Sequence, residues 1–415
     1  MSKNYAIKMM LLDDDPLMLK LVSRQLENLG FAAPTAHTNG HRALAAIAEA
    51  GGTVNLILMD LNMPDMDGIE FVRLLVEQQY AGSLILVSGE DERMLAAAAT
   101  LVRARGINLL GQLRKPISNK ALAALLETWA PPRLQLPAAT KTIYSVNELA
   151  AAIANNQLIN HYQPKVALDD GHVVGVEALV RWRHPFDGMV FPDQFIGLAE
   201  SNGLIDELTR VVLSQALAQT RTWRDAGLAL RVAVNLSMDN LTEVEFANFV
   251  SEQASLAGVV ATDIVLEVTE SRLMSDVRTP LDVLTRLRLK RFCLSIDDFG
   301  TGNSSLVQLR DIPFDQLKID RSFVHGACTD ETRRAIFNGS LHLARQLGME
   351  VVAEGVEDRA DWDFLRLSGC DLAQGYFIAR PMHAAELPAW MVGWEERRAD
   401  LTSRPSAGRL AIALH

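Results

Sequence analysis

The sequence predicts an α/β protein with two domains, a doubly wound parallel sheet followed by a TIM-type (α/β) barrel. One reason is length, because 415 residues suffice for two or three ordinary domains. A second is the alternation of short apolar runs with helical patterns over residues 1–127. The third is a series of eight further strand candidates over the next ~250 residues, a number and spacing typical of a TIM-type barrel.

The first domain is predicted from apolar runs that each end at a polar residue. Residues 7–12, 56–59 and 84–87 form three such runs, and they are followed by Asp, Asp and Ser. After the first run, the segment PLMLKLVSRQLENLG repeats apolar residues every three or four positions before a terminal glycine, which predicts a helix. Strands that alternate with helices favour a parallel sheet.

A linker separates this domain from the barrel. A helical pattern ends near Trp129, and the segment APPRLQLPAATK that follows is rich in Pro and Ala, so we assign residues 128–143 to the linker. The barrel domain is assigned to residues 144–395. Residues 396–415 mix Ser, Pro, Gly and Arg before a short apolar end, which predicts a flexible tail. The barrel strand candidates, in chain order, are INHYQPKV, HVVGVEALV, LRVAVNL, DIVLEVT, FCLSIDD, FDQLKID, MEVVAEG and CDLAQGYF.

Composition and charge exclude several classes of function. The formal net charge is −11, which argues against a nucleic-acid partner because phosphate neutralisation requires an excess of Lys and Arg. No apolar stretch reaches the ~20 residues of a membrane helix, so we expect no membrane partner and a cytoplasmic location. The three cysteines are widely spaced and predict neither a disulfide framework nor a metal knuckle.

The polar residues that end the strands of the first domain predict a phosphorylation site. In an open parallel sheet, side chains at the carboxyl ends of neighbouring strands meet outside one edge of the sheet. Two carboxylates there can bind Mg²⁺, a third can act as a nucleophile, and a lysine can offset phosphoryl charge. The residues placed at this edge are Asp13, Asp14, Asp60, Ser88 and Lys115.

Residues 6–127 resemble the response-regulator receiver domains, which have a flavodoxin-like fold, in the motifs LLDDDP, LILMDLNMPDMDG, LVSG and LRKP. The resemblance implies that Asp60 accepts a phosphoryl group from a cognate sensor histidine kinase. It also implies that Asp13 and Asp14 hold one Mg²⁺ or Mn²⁺ together with the carbonyl of Asn62, and that Ser88 and Lys115 contact the phosphoryl oxygens. Gln112 stands where many receivers have an aromatic residue, so we expect the phosphorylation signal to be transmitted differently or weakly.

In the second domain, acidic and amide residues lie at the ends of several strand candidates. Oxygen donors on successive strand ends converge on one mouth of an (α/β) barrel, and hard divalent cations prefer such donors. The pattern therefore predicts a divalent metal site at this mouth. The residues that form it are Glu177, Asn235, Glu267, Glu270, Asp297 and Asp298.

Residues 144–395 resemble the EAL family of cyclic di-GMP phosphodiesterases. The motifs that carry the resemblance, in this order, are YQPKV, EALVRW, NLS, LEVTE, DDFGTG, LKIDRSFV, AEGVE and QGYFIARPM. The resemblance implies hydrolysis of one phosphodiester bond of cyclic di-GMP, which yields the linear dinucleotide pGpG. It further implies two ions of Mg²⁺ or Mn²⁺, the first held by Glu177, Asn235, Glu267 and Asp297, and the second by Asp297, Asp298 and Glu354.

The same resemblance assigns roles in catalysis and substrate binding. Lys318 would contact the attacking water, and Glu357 and Gln374 would act through water or through neighbouring ligands. Arg181 would grip a substrate phosphate, which suits a forked guanidinium. At a strand period of two, Asp320 shares a face with Lys318 and is expected to orient its ammonium. The catalytic set is Lys318, Glu177, Asp297, Glu354 and Glu357, and the substrate-binding set is Arg181, Gln163 and Gln374.

The Gly- and Ser-rich segment FGTGNSSL at residues 299–306 follows the acidic pair directly. In the family this loop takes part in dimer contacts and metal binding, and the resemblance makes Glu270 its anchor. Most members have Tyr where this chain has Asn303, so we expect altered regulation rather than altered catalysis. The family also leads us to expect a homodimer or higher oligomer.

Two alternatives stay open at this point. The barrel could be a catalytically silent cyclic di-GMP sensor or a scaffold, although such members typically lose metal ligands and the mapped ligands are all present here. The receiver domain could instead be vestigial, with a phosphodiesterase that does not respond to phosphorylation at Asp60.

Overall fold

The computed structural model describes residues 7–89, 92–130, 144–269, 278–301 and 306–402. The chain divides into two compact units, Met1–Thr140 and Lys141–His415. Among the described residues, none of the helices combines the length and the apolar character that crossing a membrane would require.

The first unit is a five-stranded parallel sheet with strand order β2-β1-β3-β4-β5. The three predicted apolar runs form β1, β3 and β4, which are fully buried, whereas β2 is a largely exposed edge strand without an apolar pattern. The strands are β1 Met9–Leu12, β2 Thr35–His37, β3 Leu56–Asp60, β4 Ser83–Ser88 and β5 Asn108–Arg114. The helices are α1 Pro16–Asn28, α2 Gly40–Glu49, α3 Gly68–Glu77, α4 Glu92–Ala104 and α5 Asn119–Thr128.

The second unit is a closed barrel of eight strands. Its main strands are β6 Leu158–Ala167, β7 Val173–His184, β9 Arg231–Leu236, β10 Ile264–Thr269, β11 Cys293–Phe299, β12 Gln316–Ile319, β13 Glu350–Ala353 and β14 Leu372–Ala373. Two short strands, β8 Gly188–Val190 and β15 Met382–His383, pair with β7 and β6 outside the ring. Each of the eight predicted strand candidates overlaps one of the eight main strands.

Helices surround this barrel. The first, α6, begins with a reciprocal capping box between Ser145 and Glu148, which satisfies backbone donors at its start. The helices are α6 Val146–Ala154, α7 Ile196–Ser201, α8 Ile205–Asp225, α9 Phe246–Ala257, α10 Arg278–Leu289, α11 Leu306–Asp311, α12 Arg321–Val324, α13 Glu331–Gln346, α14 Arg359–Ser368 and α15 Leu387–Thr402.

One strand of the barrel departs from the all-parallel arrangement of a TIM barrel. Strand β6 is antiparallel to both of its neighbours in the ring, β7 and β14. The cause is local, because only residues 168–172 join β6 to β7, and a parallel connection needs a crossover of a dozen or more residues. As a result, Gln163 of β6 lies directly opposite Glu177 of β7.

The prediction that a flexible tail begins at residue 396 is wrong for residues 396–402. Helix α15 continues to Thr402, and Leu401 is buried against the barrel. The guanidinium of Arg366 donates hydrogen bonds to the carbonyls of Leu401 (2.7 Å) and Thr402 (3.1 Å), which fixes the last turn of the helix. Residues 403–415 lie outside the described residues.

We therefore expect truncation after residue 395 to destabilise the barrel. Loss of a fully buried leucine alone costs on the order of 2–5 kcal/mol in the free energy of unfolding, and Arg366 would also lose two acceptors. Thermal unfolding of chains that end at residue 395 or at residue 402 measures the effect. Equal unfolding midpoints would contradict the structural role of the last turn.

Candidate functional site

The candidate phosphorylation site lies at the carboxyl edge of the first sheet. Lys115 Nζ is 2.6 Å from Asp60 Oδ2 and 2.7 Å from Asp13 Oδ2. Burial opposes the ammonium charge, but the hydrogen bonds and charges of these two carboxylates raise the pKa of Lys115. One carboxylate oxygen from each of Asp13, Asp14 and Asp60 lies within 4.8 Å of the others, which suits a hard divalent cation.

The remaining predicted residues of this site are near Asp60. Ser88 is fully buried and ends β4, the strand beside the one that ends at Asp60. The backbone N–H of Asn62 donates to Asp60 Oδ1 over 3.3 Å, so the chain after β3 turns back towards the carboxylate. Gln112 lies on β5 opposite Leu86 and its side chain is exposed.

The barrel site is organised around one buried lysine. Lys318 on β12 is 1% exposed. Its ammonium contacts four carboxylates, which belong to different strands or strand ends. The distances from Lys318 Nζ are 2.7 Å to Glu267, 2.7 Å to Glu354, 3.0 Å to Asp297 and 3.8 Å to Glu177. Burial opposes the charge on Lys318, but these carboxylates raise its pKa well above the usual value.

Glu177 is held by amide donors on both sides of its carboxylate. Asn235 Nδ2 donates to Oε1 over 2.7 Å, and Gln374 Nε2 donates to Oε2 over 2.6 Å. Burial alone would raise the pKa of Glu177, but Lys318, Lys165 and the two amides lower it to about 2. The carboxylate is therefore ionised and fixed in direction, as a cation ligand needs to be.

A second group of carboxylates is crowded at the ends of β11 and β13. Oxygen atoms of Asp297, Asp298 and Glu354 lie within 4.8 Å of one another. Burial and repulsion from Asp297 raise the pKa of Asp298 to about 6. Burial, with repulsion from Asp297 and Glu177, also raises the pKa of Glu354 to about 8, although Lys318 acts in the opposite direction. Bringing carboxylates this close is unfavourable without further positive charge.

Backbone strain at Asp298 and an unsatisfied side-chain oxygen of Gln374 are two further features of the barrel site. Asp298 has a φ of +55°, a left-handed conformation that costs on the order of 1–3 kcal/mol and is concentrated at functional sites. The side-chain oxygen of Gln374 is buried and has no hydrogen-bond partner among the described residues. Carboxylate and amide oxygens are the donors that Mg²⁺ and Mn²⁺ prefer. The donor set thus fits divalent cations. Asp297 belongs both to the carboxylates around Lys318 and to the group with Asp298 and Glu354.

Lys165 is a site residue that the sequence analysis missed. Its ammonium pairs with Glu267 Oε1, while Lys318 takes Oε2 of the same carboxylate, and Glu267 is fully buried. The sequence does indicate Lys165, because it lies two residues after the predicted site residue Gln163 in the motif YQPKV, and side chains two apart on a strand share a face.

The predicted substrate-binding residues line the same mouth. Gln163 accepts a hydrogen bond from Gln374 over 2.9 Å, which links it to Glu177. Arg181 is 7% exposed, donates to the carbonyl of Val180 and lies over the ring of Phe191 at 5.2 Å.

Four of the predicted residues are not among the contacts of Lys318 in the part of the chain that the structure describes. Glu357 is exposed and pairs with His325 at 3.8 Å, so it lies in the loop after β13 without joining the contacts of Lys318. Asp320 caps α12 by accepting the N–H of Ser322 over 2.9 Å, and the four carboxylates around Lys318 are supplied by other residues. Glu270 and Asn303 lie outside the described residues.

Comparison with known proteins identifies both units. The family model of the response regulator receiver domain matches residues 9–127, and that of the EAL domain matches residues 146–381. The chain is 33% identical over 378 residues to the cyclic di-GMP phosphodiesterase RocR of Pseudomonas aeruginosa, which covers 91% of this chain and 96% of RocR. It is 44% identical over 260 residues to the cyclic di-GMP phosphodiesterase NbdA of the same species, covering 62% of this chain but 33% of NbdA.

A solved structure supports the same assignment. The structure of the PaMucR phosphodiesterase in complex with c-di-GMP superimposes with a TM-score of 0.56 and 41% identity, and it covers 58% of this chain and 98% of that chain. The predicted fold class, a doubly wound sheet with a TIM-type barrel, is confirmed. The chain is therefore a member of the EAL domain family that carries a response regulator receiver domain ahead of its barrel.

Proposed function

We propose that this protein is a response regulator that hydrolyses cyclic di-GMP to linear pGpG in its barrel, under control of phosphorylation at Asp60. The observation that carries the proposal is the convergence of Glu177, Asp297 and Glu354 on Lys318, from two strands of the barrel and the end of a third. The similarity to RocR over nearly the full length of both chains gives independent support.

The donor set would supply two cation sites, with Asp297 contributing to both. The first would be formed by Glu177, Asn235, Glu267 and Asp297, and the second by Asp297, Asp298 and Glu354. Bound Mg²⁺ or Mn²⁺ would offset charge on the phosphoryl oxygens and lower the pKa of a water molecule.

The chain's own side chains then have separable tasks. Arg181 binds a phosphate of the substrate, and its position over Phe191 keeps the guanidinium at the mouth. Gln163 and Gln374 fix the direction of Glu177 and leave one buried amide oxygen for the substrate or a water molecule. Lys318 orients the attacking water, whose oxygen bonds to phosphorus as the bond from phosphorus to one ribose oxygen breaks. Glu357 acts through water at the edge of the site.

In the receiver domain, Asp60 is the proposed phosphoryl acceptor. A sensor histidine kinase would supply the phosphoryl group. Asp13 and Asp14, with the carbonyl of Asn62, would hold one Mg²⁺ or Mn²⁺. Lys115, which pairs with Asp60 and Asp13 in this structure, would pair with the phosphoryl oxygens and so change partners on phosphorylation. Ser88 would contact the same oxygens.

The proposal is tested with purified full-length protein, cyclic di-GMP and Mg²⁺. We expect pGpG to form in proportion to enzyme and EDTA to stop the reaction. Tight binding of cyclic di-GMP without any linear product would contradict catalysis and identify a silent sensor. Molecular mass measured in the same samples, with and without acetyl phosphate, tests the proposed homodimer or higher oligomer.

Replacement of Mg²⁺ by Ca²⁺ is expected to leave little turnover, and added Ca²⁺ should inhibit the Mg²⁺-loaded enzyme. Ca²⁺ is larger, takes six to eight ligands and tolerates looser geometry, so it would occupy the carboxylates without placing water correctly. Initial rates at fixed cyclic di-GMP and increasing Ca²⁺ measure the effect. Full activity in Ca²⁺ alone would refute the geometric argument.

A further inference from the structure

A single buried carboxylate joins two loops at the mouth of the barrel. The side chain of Asp361, in the first turn of α14, is 1% exposed. Its Oδ1 accepts the backbone N–H of Gly326 over 3.0 Å. Its Oδ2 accepts the backbone N–H of Glu357 over 3.1 Å and lies 2.9 Å from Nδ1 of His325. A buried carboxylate needs such partners, and here they come from the segments after α12 and after β13.

The loop after β13 carries Glu354 and Glu357, and backbone contacts fix its position along its length. The N–H of Glu354 donates to the carbonyl of Ile319 over 3.0 Å, and the N–H of Val356 donates to the carbonyl of Gln374 over 3.1 Å. Gly355 has a φ of +66°, and a Cβ there would lie 2.1 Å from Cβ of Arg321. Asp361 makes the last attachment, at Glu357.

His325 extends this attachment to the side chain of Glu357. Its Nδ1 faces Asp361 and its Nε2 lies 3.8 Å from Glu357 Oε2, so the ring stands between the two carboxylates. A carboxylate can only accept, so Nδ1 carries a proton. The hydrogen bond to Asp361 raises the pKa of His325, and the charges of Asp361, Glu357 and Asp358 act in the same direction.

We propose that Asp361 and His325 are positioning residues for hydrolysis, which hold Glu357 at the edge of the site by its backbone and by its side chain. The proposal rests on the proposed function, in which Glu357 acts through water. Asp361 acts through the loop that it ties down, and His325 acts through the carboxylate of Glu357.

The test compares Asp361→Ala and His325→Ala with the wild-type enzyme and with a matched control, Asp315→Ala. Asp315 also accepts a backbone N–H, that of Leu294 at 2.9 Å, and pairs with Arg288 at 2.7 Å, but it precedes β12 at the opposite end of the barrel. We expect Asp361→Ala to lower kcat at least about tenfold with KM changed less than about threefold, because small misplacements of catalytic groups cost up to about 100-fold. His325→Ala should lower kcat by a smaller factor, and Asp315→Ala should leave kcat unchanged.

Amide hydrogen exchange supplies a readout that does not depend on activity. In Asp361→Ala, exchange at Glu357 and Gly326 should be at least about tenfold faster than in wild type, because both N–H groups lose their acceptor. Unchanged exchange at these amides, or wild-type kcat in a folded Asp361→Ala enzyme, would overturn the proposal. If Asp361→Ala does not fold, His325→Ala decides, and a kcat equal to wild type would overturn it. If the wild-type protein does not hydrolyse cyclic di-GMP, the proposed function is rejected. The exchange measurement would still show whether Asp361 holds the amides of Glu357 and Gly326.

Discussion

Replacing Glu177 by alanine is expected to reduce turnover of cyclic di-GMP to below about 1% of wild type. Loss of a group that only orients a metal ligand lowers activity about 10–100-fold, and loss of the ligand itself should lower it further. The change removes a carboxylate that accepts from Asn235 and Gln374 and faces Lys318. Asn235 would lose this acceptor, Gln374 would lose one of its two acceptors, and the first cation site would lose a charged ligand. Release of pGpG under saturating Mg²⁺ measures the loss.

Glu350 provides the matched control for this substitution. It is half-buried, accepts from Gln316 over 2.6 Å and pairs with Arg231, but it lies at the amino end of β13, away from the mouth. Glu350→Ala should lower the free energy of unfolding and leave kcat of the folded enzyme close to wild type. Full activity of Glu177→Ala would refute the ligand assignment, and equal losses in both variants would show that the effect is one of folding.

Replacing Asp60 by asparagine is expected to abolish any response to a phosphodonor while basal turnover stays within about twofold of wild type. Asparagine is similar in size but its amide is not a nucleophile, so no acyl phosphate can form. Lys115 would also lose one of its two carboxylate partners and keep Asp13. Turnover with and without acetyl phosphate, and incorporation of labelled phosphate, measure the change.

The matched control is Asp65→Asn, a neighbouring exposed aspartate whose partner is the amide of Asn39. This variant should respond to acetyl phosphate as the wild type does. If Asp60→Asn loses basal turnover as well, the two units are not separable as proposed. If the wild-type protein takes up no phosphate, the receiver domain is vestigial.

Much of the fold follows from local patterns in the sequence. Strands β1, β3 and β4 are buried on both faces and therefore read as continuous apolar runs. Edge strand β2 buries almost nothing and leaves no such pattern. The antiparallel direction of β6 depends on the five-residue loop that follows it, which becomes informative only once both strand ends are known. Helix α15 continues past its expected end because of the tertiary partners of Leu401 and Thr402, which composition does not show.

Some residues of the candidate site could likewise be predicted from the sequence, and others could not. Residues at strand ends, such as Glu177 and Asp297, could be predicted because topology alone brings strand ends together. Lys165 shares a strand face with Gln163, but its partner Glu267 depends on how a long side chain reaches across the barrel. The contacts of Asp361 join two neighbouring loops, and no local pattern predicts them. Glu357 belongs to a predicted motif, yet its side chain faces His325, a partner that no local pattern indicates.

Hydrolysis in water enriched in ¹⁸O tests the central proposal most directly. Wild-type protein, cyclic di-GMP and Mg²⁺ should yield pGpG with one ¹⁸O atom in its terminal 5′-phosphate, because the attacking oxygen comes from solvent. The Glu177→Ala protein prepared in parallel should give less than about 1% as much labelled product in the same time. Unchanged cyclic di-GMP after prolonged incubation with folded, Mg²⁺-loaded wild-type protein would contradict the proposed function.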